Sequence, residues 1–179
     1  MIIGLEGIDG SGKTTLSLLL SSTLEYNQLS FPYYDNMPII KEYLTGNISL
    51  DGQTSFMLFA TNIVQNQDKV KDNIIIDRYI YSTLAYTKYD YIKSKNIIDN
   101  LSLKHADIVF LLDISPNDSI KRRMKHPQIY DVDIPFLQTV RNRFLQMAND
   151  QYKTKWVIID ATKKPTLILE EILSFLRNK

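Results

Sequence analysis

With 179 residues, 44% of them hydrophobic and 23% charged, the chain has the make-up of a single globular domain able to enclose several elements. A net charge of +1 implies no general pull toward nucleic acid or an anionic membrane, so phosphate affinity has to come from cations placed locally. The absence of cysteine excludes disulfides and thiolate metal sites.

Ile2-Ile3-Gly4-Leu5 is a short apolar run suited to a buried strand. An apolar strand starting at residue 2 leaves no room for a signal peptide, and no apolar run approaches the ~20 residues of a membrane span. The expectation is therefore a cytoplasmic enzyme. The strand runs into Gly7-Ile8-Asp9-Gly10-Ser11-Gly12-Lys13-Thr14, which fits G-x-x-x-x-G-K-[ST]. In such a loop the backbone N–H groups converge on phosphate oxygens, the lysine reaches the β- and γ-phosphates, and the hydroxyl of Thr14 ligates Mg²⁺. Thr15-Leu16-Ser17-Leu18-Leu19-Leu20 then opens an apolar helix, predicted over 13–27. Strand, glycine loop and helix in that order set an anion at a helix N-terminus, where the dipole favours it.

Ser30-Phe31-Pro32-Tyr33 reads as a short strand passing into a loop, since proline cannot donate to a ladder. A short helix is expected over 37–45, closed by Gly46. The spacing of Phe56, Phe59, Ile63, Val64 and Val70 predicts a long helix from 51 to 71 with one apolar stripe. Asn73 to Asp77 is a second buried strand ending on a carboxylate. Residues 78–87 and 91–104 read as helices. Asp107 to Asp113 is a third strand, and Ser115-Pro116 caps a helix that should stop before Pro127. A loop over 126–134, a helix over 135–151, a strand over 156–160 and a helix after Pro165 complete the chain.

Near-continuous apolar strands alternating with helices predict a parallel sheet covered on both faces. Ligands of such sheets lie outside the carboxyl ends of the strands, where the glycine loop, Asp77-Arg78, Asp113 and Asp160-Ala161 all fall. Asp77 and Asp113 both end an apolar run, the form of a Walker B carboxylate, and spacing does not choose between them. Either could instead cap the helix that follows.

From Asp77 to Tyr86 (D-R-Y-x-x-S-T-x-A-Y) the chain resembles thymidylate kinases. E-G-I-D-G-S-G-K-T-T at 6–15 is the other specific match. F-P at 31–32, L-F-A-T-N at 58–62, L-D-I-S-P at 112–116 with Arg122 six residues after Pro116, V-R at 140–141 and I-D-A at 159–161 are weak alone. In order, they span residue 1 to about 175. The resemblance implies a single P-loop kinase domain over 1–179: an α/β, three-layer fold with a parallel five-stranded sheet, helices on both faces and a short lid at about 121–134. It implies Mg²⁺-dependent transfer from ATP to dTMP, and commonly a homodimer, to which the 51–71 helix could lend an apolar face.

Carried over by position, the resemblance gives Gly7, Ile8, Asp9, Gly10, Ser11, Gly12, Lys13, Thr14, Thr15 and Ala161 to ATP, with Ala161 cradling adenine. Arg78 would clamp donor and acceptor phosphates, a task suited to its forked donors. Asp77 would hold Arg78 or a water on the metal, and Asp9 would meet the sugar 3′-hydroxyl and the metal shell. Phe59 would stack on thymine, with Phe31 and Tyr34 closing the pocket, Thr83 lining the base edge and Tyr86 excluding a ribose hydroxyl. Phe59 also stands at core spacing with Phe56 and Ile63. With Gly10 and Ser11 in the glycine loop, the transition-state cation is expected from the basic cluster before the lid, Arg122 or Arg123. His105 and His126 have no metal spacing.

One position departs from the pattern. Where the family usually places an arginine that reads the base carbonyl, this chain has Ile63. Relaxed base choice is expected, or a substitute donor from Gln65, Gln67 or Thr83. Two rival readings are a deoxynucleoside kinase, whose hydroxyl acceptor would need a carboxylate base, and a nucleotide-sensing module without turnover.

Overall fold

The computed structural model describes residues 1–123 and 133–177, the Arg123 side chain excepted. Five strands form one parallel sheet in the order β2-β3-β1-β4-β5: β1 (Ile2–Glu6), β2 (Asn27–Ser30), β3 (Ile74–Asp77), β4 (Ile108–Asp113) and β5 (Lys155–Asp160). β1 is central, with Leu5 level with Asp77 on one side and Phe110 on the other. All five of its residues are buried, so both faces of the sheet are covered.

The helices are α1 (Lys13–Leu24), α2 (Ile39–Leu44), α3 (Gly52–Gln65), α4 (Ile80–Ala85), α5 (Tyr91–Asn100), α6 (Pro116–Arg123), α7 (Ile134–Asn149) and α8 (Pro165–Arg177). α1 packs on α8, while α4 packs against both α3 and α7. α3 begins where the Asp51 carboxylate accepts the backbone N–H groups of Gln53 and Thr54, both at 2.9 Å. Its first residue has to be small. A Cβ on Gly52 would stand 2.6 Å from the Lys88 carbonyl oxygen.

Several boundaries differ from the expected ones: α5 ends at Asn100 rather than 104, where Leu101 turns extended, and four others have local reasons. β2 lies over 27–30 rather than 30–33: it is an edge strand with only Leu29 buried, so it lacks an apolar run. α1 stops at Leu24 because Glu25 turns left-handed (φ 56°). α3 ends at Gln65 and not at 71, since Asn66 leaves helical geometry and spends its side chain on the Asn62 carbonyl and on Asn36. A 3₁₀ turn follows at Gln67–Lys69. α4 starts two residues late, because Arg78 is left-handed (φ 64°) and Tyr79 extended. Most of the expected lid, including His126, lies outside the described residues.

Candidate active site

The glycine loop closes the carboxyl end of β1. Gly7 is obligatory there: with φ 144°, a Cβ would meet the Leu112 carbonyl oxygen at 2.6 Å. The loop winds around the buried Lys13 ammonium, which donates to the carbonyl oxygens of Gly7 (3.0 Å) and Ile8 (2.9 Å) and to Ser11 Oγ (3.3 Å). Burial, and then the neighbouring Arg78 charge, push the Lys13 pKa well below the usual lysine range. α1 starts at Lys13 with no side-chain cap, so its first N–H groups remain available to an anion.

Of the two candidate Walker B carboxylates, only Asp77 is joined to this loop. Thr14 Oγ1 donates to Asp77 Oδ2 at 2.7 Å, and the buried Asp77 Oδ1 has no hydrogen-bond partner among the described residues. Asp113 is instead held by both Arg141 Nε (2.7 Å) and Arg141 Nη2 (2.8 Å). A hydroxyl beside a carboxylate with one uncommitted oxygen suits a hard cation that draws its remaining ligands from phosphate and water. No group of three or more His, Asp or Glu able to hold a metal by itself occurs among the described residues.

Arg78 follows Asp77 directly. Its backbone N–H donates to the Leu5 carbonyl (3.1 Å), and its guanidinium ion-pairs with Asp9, donates to Ser82 Oγ (3.3 Å) and lies 5.2 Å from the Tyr86 ring centroid. Tyr86 returns to the glycine loop, its hydroxyl accepting the Asp9 N–H at 3.0 Å. Burial raises that hydroxyl to about 12, with the Arg78 charge opposing, so it stays protonated at neutral pH. Beneath them, Glu6 is fully buried and accepts from the Tyr79 N–H (2.7 Å) and the Ser82 hydroxyl (2.5 Å). Burial raises Glu6 to about 7.

On the acceptor side, Phe59 is half-buried, edge-on to Tyr43 at 6.1 Å, so it is separate from the core stripe of Phe56, Ala60 and Ile63. Thr83 is half-buried on α4 and Tyr34 is 45% exposed. Phe31 is drawn inward rather than to the open rim: it is 5% exposed and packs 5.5 Å from Tyr79. Ile63 points into the core at 2% exposure. Gln67 is consumed by the Tyr79 hydroxyl (2.8 Å) and the Lys104 N–H (2.9 Å), which leaves Thr83 and the exposed Gln65 among the substitute donors.

On the other side of the glycine loop a cleft of about 410 Å³ is lined by Gly10, Gly12, Thr15, Arg122, Ala161 and Lys163, among others. Arg122 Nη2 donates to the Ala161 carbonyl at 2.6 Å, tying α6 to the loop after β5. Two residues here went unmarked in the sequence. Ser119, fully buried, donates to the Asp9 carbonyl, and Lys163 lines the cleft two residues beyond Ala161. Ser119 has no local signature, whereas position relative to Ala161 could have pointed to Lys163. The Arg123 side chain lies outside the described residues.

A family model described as thymidylate kinase matches residues 5–172. The chain belongs to the thymidylate kinase family. A protein of Methanocaldococcus jannaschii described as a probable thymidylate kinase is 34% identical over 190 residues, covering 99% of this chain and 96% of its own. A thymidylate kinase of Plasmodium falciparum is 29% identical over 174 residues, covering 89% and 81%. Among solved structures, a Candida albicans thymidylate kinase described as revealing the origin of broad substrate specificity superposes with a TM-score of 0.84. It is 25% identical, over 99% of this chain and 91% of that one. A deoxyadenosine kinase from M. mycoides is 22% identical with a TM-score of 0.77 over the whole of both chains, a likeness of fold alone. Membership makes this thymidylate kinase homologue a nucleoside monophosphate kinase, a phosphotransferase.

Proposed function

We propose that this thymidylate kinase family member moves the γ-phosphoryl group of ATP to dTMP, giving ADP and dTDP, with Mg²⁺ at Thr14 and Asp77. The observation that carries the reading is the Arg78–Asp9 ion pair. It ties the cation beside the acceptor rim to the loop that would hold the donor phosphates. The bond from the γ-phosphorus to the β,γ-bridging oxygen breaks as one to an acceptor phosphate oxygen forms. That oxygen is already ionised near neutral pH (second pKa about 6), so no general base is needed. Lys13 and Arg78 offset the charge on the transferring group, and Arg122, beside the donor cleft, is positioned to join them. Thr14 and Asp77 would hold the Mg²⁺, which would supply charge neutralisation for the donor phosphates.

A hydroxyl acceptor would need a carboxylate base. Glu6 is sealed beneath Tyr79 and Ser82, and Asp9 is ion-paired to Arg78. Both observations favour dTMP over thymidine. With Ile63 in the core and Gln67 committed elsewhere, we extend the reading to relaxed base choice. Shape alone separates bases by about 1–3 kcal/mol. The test is kcat/KM for dTMP, dUMP and dCMP, with thymidine alongside. The expected result is dTMP preferred within about 200-fold of the other two and thymidine unused. Phosphorylation of thymidine in preference to dTMP would overturn the reading, and rejection of dCMP by about 10⁴-fold would overturn its relaxed base choice.

The same reading takes the protein to be a cytoplasmic homodimer. Its supports are the exposed Met57 and Val64 on α3 and the absence, among the described residues, of a helix long and apolar enough to cross a membrane. Light scattering tests the dimer.

A further inference from the structure

The segment between β2 and α2 carries Tyr33 and Tyr34, and it is fixed by Asn62 on α3 and by Asn66 at its C-cap. Asn62, 1% exposed, accepts the Tyr33 N–H on Oδ1 at 2.8 Å and donates from Nδ2 to the Tyr33 carbonyl at 2.7 Å. Its side-chain amide thus pairs with the backbone of one residue much as a neighbouring strand would. One turn on, the fully buried Asn66 donates to the Asn62 carbonyl (2.8 Å) and exchanges hydrogen bonds with the Asn36 amide (3.0 and 3.4 Å). The Phe31 N–H donates to the Asp77 carbonyl (3.0 Å), so the segment is pinned at residues 31, 33 and 36.

Tyr34 lies between the second and third pins. It is 45% exposed, so its ring is open to a ligand, and burial raises its hydroxyl pKa with the Arg78 charge opposing. Asparagine is a poor interior helix residue because its side chain competes for backbone groups. Here that competition is directed outward. Asn62 sits buried beside Ala60 and Ile63, and it grips a neighbouring backbone rather than packing. It also stands three residues after Phe59, so one helical turn carries a rim ring and the grip that fixes the opposing loop.

We infer that Asn62 is a positioning residue for the acceptor nucleotide, acting through the Tyr33 backbone to hold Tyr34 at the rim. The inference rests on the proposed function, with the acceptor set against Phe59, Tyr34 and Arg78 as the family resemblance implies.

The test is steady-state kinetics of Asn62→Ala, Asn36→Ala, Tyr34→Ala and the doubles that combine each asparagine change with Tyr34→Ala. The acceptor is whichever monophosphate the wild type converts best. Asn62→Ala is expected to raise the acceptor KM about tenfold, with the ATP KM within about twofold and kcat within about threefold. Asn36→Ala, on an exposed residue outside the core, is expected to raise the acceptor KM about threefold with the same selectivity. In the Tyr34→Ala background both increments should largely vanish, as they do when one residue acts through another. Equal rises in both KM values, or increments that persist without the Tyr34 ring, would overturn the inference. If Asn62→Ala fails to fold, the Asn36 and Tyr34 cycle decides, and an unmoved acceptor KM in Asn36→Ala overturns it. A wild type that converts no monophosphate defeats the proposed function itself, a result separate from any ratio among variants.

Discussion

β3 and β4 flank the same central strand, and each ends on an aspartate after a buried apolar run, yet the two ends do different things. At β3, Asp77 meets the neutral Thr14 hydroxyl on one oxygen, and its other, buried oxygen has no hydrogen-bond partner among the described residues. At β4, both Asp113 oxygens are taken by a guanidinium, so its charge is spent inside the fold. The next residue repeats the contrast: Arg78 turns left-handed toward Asp9 and Ser82, whereas Ile114 is buried at 2%. A carboxylate at the rim of a parallel sheet is therefore only an address. Its partner decides whether it serves a cation or braces a helix.

The sharpest way to break this contrast is to remove Arg78. Arg78→Ala is expected to lower kcat by about 10³-fold, the scale of a transition-state arginine, with ATP affinity changed far less. Comparing turnover with an equilibrium ATP titration checks it, and equal losses in both would make Arg78 a structural residue. The two aspartates can then be compared directly. Asp77→Asn should cost about 10²-fold in kcat/KM and raise the Mg²⁺ concentration needed for half-maximal rate, with little change in melting temperature. Asp113→Asn should do the reverse: it loses about 1–2 kcal/mol of stability in a denaturant titration, the pair being partly exposed, and keeps activity within about threefold. If Asp113→Asn proves the more damaging to turnover, the two strand ends have been assigned the wrong way round.

What the chain discloses before folding is what is local. The glycine loop, the apolar runs of β1, β3 and β4, and the Asp77-Arg78 pair are contiguous signals: the runs form the buried strands, and the loop and the pair fall at the carboxyl ends of β1 and β3. What it conceals depends on distant partners. The choice between Asp77 and Asp113 rests on Thr14, 63 residues from the first, and on Arg141, 28 from the second. β2 escaped because an edge strand with polar Asn27, Gln28 and Ser30 buries only one side chain. The early end of α3 was hidden in Asn66, whose termination works through Asn36 across 30 residues. Phe31 offers the same lesson: its neighbours in sequence suggest a pocket wall, and its packing on Tyr79 draws it inward.

The smallest expected effect concerns the carboxylate between the two strand ends. Glu6 ends β1 and faces the β3 side, accepting from Tyr79 and Ser82 just beyond Arg78. Burial raises it from 4.5 to about 7, the Ser82 hydrogen bond and the Arg78 charge opposing. A raised carboxyl pKa means that the folded chain holds this proton more tightly than the unfolded one. Its contribution to stability is thus fully present below pH 4.5 and is lost as pH climbs to about 7. His105 acts in the opposite sense: burial lowers its pKa from 6.5, so its share of stability grows with pH over part of the same range. Lys13, lowered to about 7 chiefly by burial, acts in the same sense as His105 near the top of the range. Wild type alone would mix all three. Glu6→Gln removes the first and, with it, the Glu6 charge that raises Lys13, and both changes have the same sign, so the melting temperature of wild type minus that of the variant should fall between pH 5 and pH 7.5, by a few degrees for a domain of this size. Parallel curves would mean that Glu6 remains ionised in the folded state. Ser82 would then be held by a full charge, and the β3 end would carry one more fixed anion beneath Arg78 than the hydrogen-bonded, protonated carboxyl provides.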